Sequence, residues 1–224
     1  MKKRNDSIMQ LEFFGKITAS VTHELNNVLS IINEYAGLLE DQVYMAESGM
    51  SINPAKLQSI HGKLIKQVGR GEKIIKNLNK FAHTTDEDIA EFDLNEIIHN
   101  LVMLCQRFSS LKRIELKHEL SEESINVVSS PFEILRIIFN LIFIILDKSE
   151  PSSEISITTS EDNDNITVYI NIDPACIDTE EIFSVLCEDK SLEYDIKSEF
   201  IDASLKISIT FQKKIDNFQQ IREK

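Results

Sequence analysis

An α+β fold is predicted: a long antiparallel helical hairpin leads, and a smaller α/β sandwich follows. Two patterns predict it. Apolar residues recur every three or four positions through the first 80 or so residues, and short alternating strands separated by helical runs fill the rest. The 224 residues, 42% of them hydrophobic, suffice for two ordinary cores, and the character of the chain changes near residue 85. We therefore place one unit at residues 8–85 and a second at 90–213.

In the first helix, roughly residues 8–46, Phe14, Val21, Val28 and Tyr35 interleave with Thr18, Leu25, Ile32 and Leu39, the spacing of a bundle seam. Ile17, Leu29, Ile31 and Leu38 widen the stripe. The turn Glu47-Ser48-Gly49-Met50-Ser51-Ile52-Asn53-Pro54 ends in a proline suited to a helix start. Leu57, Ile60, Leu64, Val68, Ile75, Leu78 and Phe81 then mark a second helix. Two helices alone leave apolar faces bare, so a homodimer forming a four-helix bundle is the economical expectation. Cover by the second unit is the alternative.

Beyond the polar link Thr84-Thr85-Asp86-Glu87-Asp88, a short strand runs into a helix at residues 91–98. Strands are expected near 112–119 and 125–129, followed by a helix from Pro131 to Asp147. Glu154 to Thr159 and Asn165 to Ile172 read as alternating strands, with a last one around Ser204 to Phe211.

Charge is unevenly spread. Residues 1–85 carry 11 Lys/Arg against 8 Asp/Glu, and residues 86–224 carry 13 against 29, giving +3 and −16. The acidic half argues against nucleic acid, and the mildly basic half suits an acidic protein partner. No signal-like or membrane-spanning run is found, the longest apolar run being Leu141 to Leu146. Cys105, Cys176 and Cys187 are odd in number, widely spaced and without a CxxC, suggesting neither disulfides nor zinc. A soluble, cytoplasmic protein with no membrane association is expected.

The chemistry lies in Ser20-Val21-Thr22-His23-Glu24-Leu25-Asn26-Asn27-Val28-Leu29. On the helical register His23 sits opposite the Leu25/Val28 seam, with Asn27 one turn further along. Glu24 adjoins the histidine and can take the proton of one ring nitrogen, leaving the other as a nucleophile toward phosphorus. His23-Glu24-x-x-Asn27 also looks like a zincin motif with its second ligand replaced, but asparagine is a poor zinc ligand and no third ligand is evident. His61, His83, His99 and His118 lack such a context.

The window resembles the H box of two-component sensor histidine kinases, and the later element order resembles their GHKL-type ATPase domain. The resemblance implies that His23 is phosphorylated, that Glu24 assists transfer, and that Asn27 orients water for dephosphorylating a response regulator. Arg70, Lys73, Lys76 and Lys80 form a basic line near the end of helix 2 where an acidic receiver domain would dock; a solvated face is the plainer reading.

The nucleotide boxes depart from that family. Asn140-Leu141 matches the start of its N box, but Ile144 stands where an asparagine holds magnesium and phosphates. The glycine-rich DxGxG box aligns with Asp173-Pro174-Ala175-Cys176-Ile177, and all six glycines of the protein lie at or before Gly71. Too few residues separate Asp173 from the last strand to hold a full lid with its helix. The sequence thus predicts a degenerate ATPase-like unit without ATP-dependent kinase activity, its vacated pocket filled by Phe143, Ile144 and Ile145, and no cofactor of its own, magnesium being supplied by the partner receiver. A histidine phosphotransferase is the leading expectation. A response-regulator phosphatase and a non-catalytic pseudokinase that sequesters a partner stand beside it.

Overall fold

The computed structural model describes residues 2–121, 123–162, 165–173, 194–201 and 204–212. Helices α1 (Lys2–Glu47) and α2 (Pro54–Ala82) form the hairpin. Its turn follows from local chemistry. Gly49 takes φ +75°, where a side chain is strained, and Met50 N–H donates to the carbonyl of Met45 as α1 closes. Asn53 caps α2, its Oδ1 accepting from the N–H groups of Ala55 and Lys56, with Pro54 in the first turn. The helices approach closely where Gly71 faces Val28. A β-carbon there would lie 3.4 Å from Val28 Cγ1, so a larger residue would press on the seam.

A short 3-10 turn (His83–Thr85) leads to β1 (Ala90–Asp93) and α3 (Leu94–Lys112). Asp93 caps α3 by accepting from Asn95 N–H at 2.9 Å and also accepts from Ile125 N–H at 3.3 Å, tying the helix start to the approach to β3. Then come β2 (Glu115–Glu119), β3 (Asn126–Ser129), α4 (Pro131–Lys148), β4 (Glu154–Asp162), β5 (Asn165–Asp173), β6 (Tyr194–Ile201) and β7 (Ser204–Gln212). β1 pairs with β3; the main sheet runs β2-β4-β5-β7-β6, with only β2 and β4 parallel. Ile155 and Ile157 of β4, Ile166, Val168, Ile170 and Ile172 of β5, and Leu205, Ile207 and Ile209 of β7 are all buried, the period-two signature of a sheet with one covered face.

Two expectations are corrected, and one observation bears on what covers the hairpin. The strand foreseen near 112–119 starts at Glu115, because α3 continues to Lys112 and Arg113 then turns through a left-handed conformation (φ 59°). The final strand is joined by an edge strand, β6, that the sequence reading missed. Asp195, Lys197 and Glu199 alternate along it with Tyr194, Ile196 and Phe200, a period-two signal that the sequence reading overlooked and that its pairing with β7 completes. Finally, part of the hairpin's apolar stripe is covered within the chain. Phe13, Ile17 and Phe81 are buried in one core with Leu101, Ile134, Leu135 and Phe139. Phe13 lies between Phe81 and Phe139, with ring centroids 5.2 and 4.7 Å away, and Phe14 stacks on Phe81. α4 and the open end of the hairpin therefore share an aromatic junction, the alternative that the stripe's width had also allowed.

No helix among the described residues is long and apolar enough to cross a membrane. Cys105 is buried and free, and burial pushes its thiol far above the ordinary range, so it is inert; Cys176 and Cys187 lie outside the described residues.

Candidate functional site

His23 lies at the middle of α1, exposed, and Asn27 is exposed one turn further along. The face opposite is anchored: Val21 and Val28 are buried and Leu25 packs against the core. The helical register thus presents the imidazole and the amide to solvent while the seam holds their backbone. On the N-terminal side of His23, Leu11, Phe14, Gly15, Thr18, Ala19 and Thr22 line a shallow, mostly apolar groove that ends at His23 and Asn26.

Glu24 is turned elsewhere. Neighbouring helical residues point about 100° apart, consistent with 3.6 residues per turn, and the half-buried Glu24 carboxylate faces α2. There its Oε1 accepts a hydrogen bond from Arg70 Nη2 at 2.8 Å. The sequence reading put Arg70 in a receiver-docking line and Glu24 beside the histidine, and it missed that the two meet. An antiparallel hairpin that sets Phe13 against Phe81 brings residue 24 level with residue 70, so opposite charges at that register were the available signal.

The basic line is not uniform. Lys80 is paired with Glu96 of α3 at 2.5 Å, whereas Lys73 and Lys76 are exposed and, among the described residues, have no acidic partner. Of the remaining histidines, His61 is exposed and His83 Nδ1 sits 2.7 Å from Asp86. His99 Nδ1 lies 2.8 Å from His118 Nε2, pinning α3 to β2; burial, and then the charge of His99, holds His118 below the usual histidine value. No group of three or more His, Cys, Asp or Glu suited to a metal occurs among the described residues.

In α4, the residues around the position aligned with the metal-holding asparagine pack in hydrocarbon. Ile145 is fully buried, and Phe143 and Ile144 are half-buried against the core. Phe143 stacks on Phe139 with centroids 5.7 Å apart and meets Phe108 edge-on at 5.8 Å. Lys16 Nζ stands 4.1 Å from the Phe143 ring centroid, a cation–π contact joining α1 to α4. Asn140 is half-buried and Asp173 exposed at the end of β5. The rest of the DxGxG counterpart, Pro174 to Ile177, and the stretch where a lid was judged too short, lie outside the described residues.

Neither a family model nor a curated protein matches the sequence. Solved structures do. The nucleotide-free catalytic domain of histidine kinase ThkA matches at 19% identity and a TM-score of 0.52, over 58% of this chain and all of that one. The histidine kinase ThkA in its complex with response regulator protein TrrA matches at 18% identity and a TM-score of 0.50, over 95% of this chain and 66% of that chain. The fold is histidine-kinase-like: a helical hairpin joined to the α/β unit of the catalytic domain. At this identity the likeness shows the fold alone.

Proposed function

We propose that this chain is a histidine phosphotransferase of a two-component phosphorelay, passing phosphoryl groups between His23 and the aspartates of response-regulator receiver domains without ATP. The observation that carries the reading is the solvent-facing His23, with Asn27 one turn away, on a hairpin whose opposite face is fixed by Val21 and Val28. The hydrocarbon at Ile144, where a kinase of this fold needs a metal-holding amide, favours transfer over ATP-dependent phosphorylation. That ThkA, whose fold this chain shares, was solved with a response regulator supports a receiver as partner.

The chemistry is an exchange at phosphorus. One imidazole nitrogen attacks the phosphorus of a receiver's aspartyl phosphate, the N–P bond forms as the P–O bond breaks, and the electron pair leaves on the aspartate carboxylate. The other ring nitrogen keeps its proton during attack. Positioning and charge neutralisation do most of the work in such a transfer, and magnesium belongs to the receiver. The shallow groove beside His23 and the exposed Lys73 and Lys76, without acidic partners among the described residues, offer apolar and basic contacts for docking.

The chain acts as a homodimer in this reading. Leu29, Ile65, Val68 and Ile75 remain exposed on the hairpin, and a second copy would cover them in a four-helix bundle. Light scattering at micromolar concentration should give twice the chain mass; a monomer would contradict it.

Exposure of Asn27 favours a second reading, receiver dephosphorylation by a water that the amide orients. Phosphorylated receivers incubated with His23→Ala and Asn27→Ala separate the two. Transferase action requires loss of acid-labile, base-stable label in His23→Ala. Direct phosphatase action requires that variant to keep releasing phosphate while Asn27→Ala does not.

A further inference from the structure

We propose that Arg70 is a positioning residue for phosphoryl transfer at His23, neutralising Glu24 and offering its remaining N–H groups to the phosphoryl oxygens; this rests on the phosphotransfer reading above. Glu24 is the residue next to the nucleophile, and a bare carboxylate there would repel an incoming phosphoryl group that carries close to two negative charges. Arg70 removes that repulsion. Its Nη2 donates to Glu24 Oε1 at 2.8 Å, with the side chains 48% and 24% exposed for Arg70 and Glu24.

A guanidinium carries five N–H donors in a rigid fork, and the bond to Glu24 is made through Nη2. A carboxylate that fixes one edge of the fork orients the rest, and the half-exposed side chain leaves the remaining N–H groups open to an acceptor arriving from solvent. Lys73, one turn further along α2, and Lys76 extend the positive strip without acidic partners among the described residues. The plain alternative is an exposed ion pair that merely staples the hairpin. A staple would serve equally well anywhere along α1 and α2, whereas this pair sits at the residue that directly follows the phosphoacceptor.

The test uses phosphoramidate, a small phosphoryl donor that needs no receiver, on the full chain, with label at His23 followed by mass spectrometry. Arg70→Gln is expected to slow labelling tenfold or more while its helical circular dichroism and melting match the unaltered protein. Arg70→Lys, which keeps the charge and loses the fork, should fall between the two. Adding Glu24→Gln to Arg70→Gln should recover part of the rate by removing the repulsion. Labelling of Arg70→Gln at the unaltered rate, or slowed only in proportion to lost helix, would overturn the inference, and no label on His23 of the unaltered protein would overturn it together with the phosphotransfer reading. Receivers run in parallel isolate that reading: no transfer from any of them, with phosphoramidate labelling still dependent on Arg70, would sink the phosphotransferase alone.

Discussion

The middle of α1 and the middle of α4 present opposite environments on one frame. At His23 the polar groups face water, backed by a seam of Val21 and Val28. At residues 143–145 the side chains are phenylalanine and isoleucine, and Phe143 packs with Phe108 and Phe139 and is bridged to α1 by Lys16. The difference teaches that the α/β unit earns its place here by packing. It gives the open end of the hairpin a core to rest on, and so fixes the helix that carries the histidine.

The largest effect is expected where that packing is densest. Phe139→Ala removes a fully buried ring that contacts Phe13, Phe108 and Phe143, and should cost about 3–5 kcal/mol in urea unfolding. If the α/β unit only hung from the hairpin, helical unfolding would be indifferent to this change. A loss below about 1 kcal/mol, the range of surface substitutions, would therefore break the comparison.

Next in size is Ile144→Asn, which reinstates the amide expected of a kinase in a half-buried position. It should destabilise by roughly 1–3 kcal/mol, the cost of placing a poorly partnered amide against a core. It should not create an ATP site, because the chain has no glycine after Gly71 to let backbone approach phosphates. Thermal shift decides this. ATP at about a hundred times its dissociation constant would add about 2.7 kcal/mol, so a magnesium-dependent shift of that order would show that the pocket survives.

At the exposed end the same scale of change should leave the fold alone. His23→Ala and Asn27→Ala are each expected to move stability by less than about 0.5 kcal/mol, although both remove side chains assigned to the chemistry. A loss of several kcal/mol in chemical denaturation would mean that these residues serve the hairpin instead.

The smallest effect concerns pH. His118 is held below its ordinary value of 6.5, chiefly by burial and then by His99, so the unfolded chain takes up the proton more readily than the folded one. Its contribution to stability is whole above about pH 6.5 and is lost as pH falls from there through the lower folded value. The group is only partly buried, so the shift in melting temperature is small. His118→Gln should flatten the slope between pH 7.5 and 5; an unchanged slope would assign it to other groups.

Much of this was legible in the sequence, and the limits have physical causes. Helical periodicity in Phe14, Val21, Val28 and Ile60 gave the hairpin, and strict alternation in Ile166, Val168, Ile170 and Ile172 gave β5, because each period follows from backbone geometry. Periodicity says which face is apolar and not what covers it, so the Phe13–Phe81–Phe139 junction was out of reach. β6 does alternate, Tyr194, Ile196 and Phe200 against Asp195, Lys197 and Glu199, but its pairing with β7 is a tertiary fact. The exposed His23 and Asn27 were readable from register; the Arg70–Glu24 pair, 46 residues apart in the chain, needed the hairpin to be folded.

The central claim is that His23 takes its phosphoryl group from receivers and not from ATP. The most direct measurement offers the full chain radiolabelled phosphorylated receivers in one reaction and γ-labelled ATP with magnesium in another, and maps acid-labile label by residue. The account predicts label on His23 from at least one receiver, none from ATP, and none from either source in His23→Ala. Label reaching His23 from ATP would restore an ordinary kinase and contradict it.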